Sequence, residues 1–203
     1  MKLMLCLALI SNLTLCACEI YILGKLKRKT DVFKYYTYLQ NFLSLAAGAV
    51  FVFCLAASFF TGRAVPEFAR GLRYISTCGL LAAMLTYTVF LSNGKNQLTE
   101  EDFSDVSPQK ANFILHYFCP LLSLLSFSVF ERSLLLDHPV WTSLAAVPSI
   151  LYWIVYFILS AFKLWKEPYD FSSDKKGAVP EALIFTLIPV SFIALSFLLW
   201  QIK

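Results

Sequence analysis

The chain reads as an all-α polytopic membrane protein, six transmembrane helices in one bundle, and three observations lead there. Of its 203 residues, 59% are hydrophobic and only 15% charged, against about 45–50% and 25% in an ordinary soluble domain. Mean hydropathy is +0.68. The apolar residues also come in runs, and a run of ~20 residues crosses ~30 Å of hydrocarbon as a helix. No period-2 alternation marks barrel strands. Backbone groups in lipid must then be satisfied within their own segment, which leaves helices. A disordered chain, a coiled coil and a water-soluble enzyme are excluded. The net charge of +4 is weak, and no basic stripe points to nucleic acid.

The first run, Leu3–Leu23, follows Lys2 and contains Leu15-Cys16-Ala17-Cys18, a faint likeness to a lipoprotein cleavage box. Apolar residues continue through Ile20, Tyr21, Ile22 and Leu23, as in a retained span rather than a signal peptide. Tyr36–Phe60, Ile75–Leu91, Asn112–Phe130, Val140–Phe162 and Ala182–Trp200 complete the set within a single domain, 1–203. Ser107-Pro108 is the cap and first-turn pair that fixes where the fourth helix begins. The connections are short. Gly24–Tyr35 is basic, Thr61–Tyr74 carries Arg63, Arg70 and Arg73, and Ser92–Ala111 is acidic at Glu100, Glu101, Asp102 and Asp105. Glu131–Pro139 is a tight turn, and Lys163–Glu181 mixes both signs.

Six spans put both termini on one side, called A here, with the second and fourth loops; side B holds the other three. Side A carries six Lys and Arg and side B eleven. The positive-inside rule therefore puts side B in the cytoplasm and the termini outside. All six cysteines fall inside the apolar runs. They read as small buried apolar residues, since a disulfide framework would need them in loops.

Polar groups inside spans are expensive and are the first place to look for function. Counted from side B, they collect at one depth: Glu19 in the first span, Thr37, Gln40 and Asn41 in the second, and Thr86 and Tyr87 in the third. Asn112 and His116 open the fourth, and Glu181 and Thr186 the sixth. Thr37 and Asn41 share a helical face at i and i+4, as do Asn112 and His116. Pro120 removes the hydrogen bond that would reach the His116 carbonyl, so a kink is expected there. Pro148 and Pro189 read as ordinary membrane-helix prolines. The side-A half is mainly Ser, Thr and apolar residues, which helix packing explains without a site. His138 reads as a solvated turn residue. His116, Cys119 and Glu19 fall short of a zinc site, because no second histidine lies in a span. No cofactor is implied: phosphate loop, dinucleotide fingerprint and serine nucleophile elbow are all missing.

Phe33-Lys34-Tyr35-Tyr36-Thr37-Tyr38-Leu39-Gln40-Asn41 resembles the "FxYFTxxxN" opening of the second span in the androgen-induced family of six-span membrane hydrolases. Leu115-His116-Tyr117-Phe118-Cys119-Pro120 resembles its "LLHxxxP" in the fourth span. Pro148-Ser149-Ile150-Leu151-Tyr152 and Glu167-Pro168-Tyr169-Asp170-Phe171 look like its "yPxxY" and "YPxxF" elements around the fifth. The order and spacing hold over most of the chain. Two departures are visible: no acidic residue follows Pro120 within Leu121–Leu125, and Gly94–Asp105 matches no family element.

The resemblance implies an intramembrane threonine hydrolase that cleaves a lipid ester such as a fatty acid ester of a hydroxy fatty acid. Its nucleophile falls on Thr37 and its general base on His116. A threonine hydroxyl needs a base to take its proton, and a neutral imidazole within hydrogen-bond reach can do so. Asn41 or Asn112 would donate to the oxyanion, and Glu19 or Tyr87 would orient the imidazole. The expected partner is a lipid or fatty acid ester, the expected metal none, and the expected location a membrane, the bacterial cell membrane before a eukaryotic internal one. A non-catalytic protein that binds or moves a lipid or small amphiphile is the alternative. A broken-helix transporter ranks behind it, because Pro120, Pro148 and Pro189 do not fall in matching halves.

Overall fold

The fold comes from a computed structural model, which describes residues 2–28, 33, 35–91, 103–132, 134, 136–164 and 181–202, without the side chains of 90, 91, 160 and 181–188. The Glu167–Phe171 motif, the acidic residues Glu100 to Asp102 and the Thr186 side chain lie outside the described residues. Among the described residues the main helical elements are α1 Lys2–Gly24, α2 Tyr36–Thr61, α3 Glu67–Thr86, α4 Pro108–Phe130, α5 Val140–Ala161 and α6 Glu181–Gln201. A π-helical turn, Tyr87–Leu91, continues α3. Within α4, π turns at Ile114–Phe118 and Ser126–Phe130 alternate with α-helical Pro108–Phe113 and Cys119–Leu125. Among the described residues the only extended pairing is a single bridge, Leu26 to Phe103.

Local chemistry sets the boundaries. Gly62 closes α2 in the left-handed region at φ 69°, its N–H on the Ser58 carbonyl at 2.9 Å, a conformation that favours glycine. Ser107 caps α4 by accepting the Lys110 N–H at 3.4 Å, with Pro108 in the first turn, as the sequence predicts. The expected kink before Pro120 takes the form of the π turn Ile114–Phe118, which absorbs the missing hydrogen bond by adding a residue to the turn. The α5 and α6 helices run through Pro148 and Pro189.

Among the described residues, four helices are long and apolar enough to cross a membrane: Lys2–Gly24, Tyr36–Thr61, Pro108–Phe130 and Val140–Leu159, with Pro189–Gln201 a shorter apolar stretch. Their outer faces carry large exposed hydrophobics, such as Leu144, Val147, Leu151, Ile154, Phe157 and Ile158 on α5. Soluble monomers rarely expose so continuous a patch. The opposite face of α5, at Ala145, Ala146, Ser149, Tyr152, Trp153 and Tyr156, is buried.

The exception is α3. It begins at Glu67 right after Pro66, eight residues before the apolar run that marked it in sequence, so Arg70 and Arg73 are helical rather than loop residues. It packs against α2, α4, α5 and α6, and most of its length is buried. A helix surrounded by other helices does not need a lipophilic surface; it needs small residues that let neighbours approach. Gly79 is such a point, where an added Cβ would sit 2.1 Å from Gln40 Oε1 of α2. At Gly71 a Cβ would lie 2.3 Å from the Trp141 ring of α5, and that ring is held by its Nε1–H on Glu67 Oε1 at 2.9 Å. Gly71→Val is therefore expected to destabilise the protein by about 1–3 kcal/mol through overpacking. Gly24→Ala, with nothing within 4 Å of its added Cβ, leaves the melting temperature in detergent nearly unchanged.

Candidate functional site

Toward side B, polar side chains from three helices converge. The helix pairs are antiparallel, so contacts give relative depth. Cys16 of α1 meets Gly48 of α2, and one turn further Glu19 lies beside Ser44. Across the α2–α3 contact Gln40 meets Gly79, and Tyr36 shares a buried cluster with Ala82 and Ala83. His116 lies one turn beyond those alanines, stacked flat on Tyr87 with ring centroids 3.6 Å apart and planes 18° from parallel. Both stacked residues sit in π turns, Tyr87–Leu91 and Ile114–Phe118. The second of these packs against α1, α2 and α3 together. Thr37 and His116 thus differ in depth by about one helical turn, ~5 Å.

The site residues are deeply buried: Glu19 and Asn41 are 0% exposed, Gln40 2%, His116 3%, Thr37 6% and Asn112 9%. Buried polar atoms are normally hydrogen-bonded, and each exception calls for an explanation. Several exceptions fall in this half: Gln40 Nε2, Asn41 Oδ1, Asn112 Oδ1 and His116 Nδ1 have no partner, and the Glu19 carboxyl has Ser44 beside it. Asn12 Oδ1, toward side A, is a further exception. One N–H of Asn41 Nδ2 donates to the Thr37 carbonyl at 2.9 Å. The sequence-predicted residues divide accordingly. Tyr87 and His116 are in direct contact, Thr37 and Asn41 are joined through the backbone, and Glu19, beside Ser44, faces the same helix. Among the described residues no hydrogen bond joins Thr37 to His116.

Two walls close this layer. Toward α5 and α6, Tyr36 is fixed by a hydrogen bond shared with Ser149 Oγ at 2.9 Å and by ring contacts with Tyr152, Trp153 and Phe192. Toward side B, Phe103 seats against Tyr38 with centroids 6.2 Å apart, beside Ile22, Leu26 and Leu115. It is held there by the Ser104 N–H on the Lys25 carbonyl at 2.9 Å and by the Lys25–Asp105 ion pair at 3.3 Å. No group of three or more metal-ligating side chains occurs among the described residues.

A second polar cluster, toward side A, was not legible in the sequence. Arg73, 1% exposed, pairs with Glu131 at 3.3 Å. Its guanidinium also donates to Thr77 Oγ1 at 2.8 Å, Ser123 Oγ at 2.7 Å and the Ser123 carbonyl at 3.1 Å. Glu131 Oε1 further accepts from Asn12 Nδ2 at 2.8 Å and Ser126 Oγ at 2.6 Å. The expectation of an unremarkable side-A half is thus corrected. The available signal was the i, i+4 spacing of Arg73 and Thr77 behind Pro66, hidden because a three-arginine stretch looks like a loop. No family model matches the chain, and no curated protein or solved structure resembles it at a significant level.

Two outcomes follow. Glu131→Leu leaves Arg73 buried and unpaired, and should cost about 3–5 kcal/mol, whereas Arg73→Met with Glu131→Leu recovers most of that loss; thermal unfolding in detergent reads both. Tyr87→Leu removes the ring current over His116, so the imidazole proton resonances, shifted upfield by the stack, should move back downfield by NMR. Tyr87→Phe should leave them upfield.

Proposed function

We propose that the chain spans the membrane six times and is an intramembrane hydrolase of a lipid ester, with Thr37 as nucleophile and His116 as general base. The observation that carries this reading is the set of buried polar atoms without a partner at Gln40, Asn41, Asn112 and His116, on α2 and α4, the two packed helices that hold these residues. A packed protein interior avoids such atoms unless something else meets them, and the ester group of a substrate would do so. In this reading α3 and α6 complete the six spans: α3 is too polar to register as lipophilic because its neighbours, not lipid, surround it, and α6 is 21 residues long, about 30 Å of helix. The termini face away from the cytoplasm, following the lysine and arginine bias.

The layer lies a few turns in from side B, where the carbonyl of an amphiphile anchored at that interface would reach. Thr37 Oγ1 attacks the ester carbonyl while the imidazole takes its proton. The tetrahedral oxyanion is met by an amide N–H of Gln40 or Asn112. Collapse expels the alcohol, which receives the proton back from the imidazolium and leaves an acyl-threonine. Water, deprotonated by the same imidazole, then releases the carboxylic acid and restores the hydroxyl. The Tyr87 stack keeps the ring plane fixed through both halves of the cycle. The bond between Thr37 and His116 closes when substrate fills the layer, since such contacts are often loose before substrate binds.

The second reading, a non-catalytic lipid binder, is favoured by the lack of a hydrogen bond between Thr37 and His116. Purified protein assayed with fatty acid esters of hydroxy fatty acids separates the two. Thr37→Ala and His116→Ala should each lower hydrolysis by ~10²-fold or more, and Thr37→Ser should keep a measurable rate. Wild-type protein that binds the esters without cleaving them would leave the binder.

A further inference from the structure

Beside the side-A ion pair a crevice opens between the ends of α3, α4 and α6. Its inner wall is aromatic. Tyr74, Phe127 and Trp200 line it, with Tyr74 centroids 5.6 Å from Phe127 and 6.4 Å from Trp200. Tyr74 is fixed by donating its O–H to the Ser196 carbonyl. Glu131 also lines the crevice and is only 4% exposed. All of the hydrogen bonds it receives from Asn12, Ser126 and Arg73 arrive at Oε1, which leaves Oε2 for an occupant. Arg132, exposed, stands at the rim.

We infer that this crevice binds a phosphoethanolamine head group, its primary ammonium on Glu131 Oε2 among the three aromatic rings and its phosphate on Arg132. Aromatic faces attract an ammonium through the ring quadrupole, and more strongly where water is excluded. A buried carboxylate oxygen adds a charge-assisted acceptor. A trimethylated nitrogen has no N–H to donate to Oε2, which selects for the primary ammonium. The location fits a lipid source, since the ends of spanning helices meet the head-group layer, and the exposed Ile202 at the crevice edge would run beside an acyl chain. This site is separate from the Thr37–His116 layer and stands whether or not that layer is catalytic.

Native mass spectrometry of the full chain in detergent, titrated with phosphatidylethanolamine, phosphatidylcholine and phosphatidylglycerol, tests the inference. Phosphatidylethanolamine should bind roughly fivefold or more tightly than either of the others, the scale of one desolvated cation–π contact. Trp200→Leu should erode the preference over phosphatidylglycerol by removing a face of the cage, and Arg132→Gln should weaken phosphatidylethanolamine binding from the phosphate side. Both variants leave the Arg73–Glu131 pair in place, and unchanged helical circular dichroism verifies the fold. Displacement of the lipid by free glycerophosphoethanolamine at comparable concentration would assign the same chemistry to a soluble source. Equal binding of the three lipids to the wild-type protein, or binding untouched by both variants, overturns it.

Discussion

A polar side chain held between helices in hydrocarbon has no water to turn to, so the protein itself must supply its hydrogen bonds. This chain meets most of that demand at one end of the bundle, where Asn12 Oδ1 is left over, and less of it at the other. Toward side A, Arg73 and Glu131 pin α1, α3 and α4 together through Asn12, Thr77, Ser123 and Ser126. Such a pair is costly to bury and becomes tolerable only when its remaining donors and acceptors are also filled. Toward side B, about 10 Å further along α1 from Asn12 to Glu19, Gln40 Nε2, Asn41 Oδ1, Asn112 Oδ1 and His116 Nδ1 stay open. The filled layer holds the helices in register, and that register brings the open groups to one level.

The central position of α3 makes both layers possible. Its glycines let α2 and α5 approach closely, and its polar side chains turn to neighbours rather than to lipid. One helix thereby supplies Arg73 to the filled layer and, through the turn that begins at Tyr87, the ring that backs His116. The π turns serve the same end. Each adds a residue without breaking the helix, which rotates the following side chains relative to those before them.

Hydropathy made the limits of α1, α2, α4 and α5 legible to within a few residues, because lipid-facing helices carry their apolar character on the outside. It failed for the start of α3, where Pro66 was the better marker and Arg73 is hidden by pairing rather than by being apolar. Ser107-Pro108 gave the start of α4, since a cap acts through local geometry. Spacing placed Thr37 with Asn41 and Asn112 with His116, because i and i+4 positions share a face in any helix. The Tyr87–His116 stack and the Arg73–Glu131 pair are tertiary contacts between residues far apart in sequence, and no local pattern announces them. The Pro120 signal was half legible: it foretold a disturbed turn at His116 but not that the turn would be π-helical.

The proposed dyad is tested most directly by chemistry at the threonine itself. A fluorophosphonate carrying a lipid-like chain reacts with a hydroxyl only when a base has activated it, and peptide mapping locates the adduct. The account predicts a single phosphonylated residue, Thr37, with labelling abolished in Thr37→Ala and strongly reduced in His116→Ala. A protein that stays unlabelled while still binding the probe, or one labelled at Ser44 with Thr37 untouched, would contradict it.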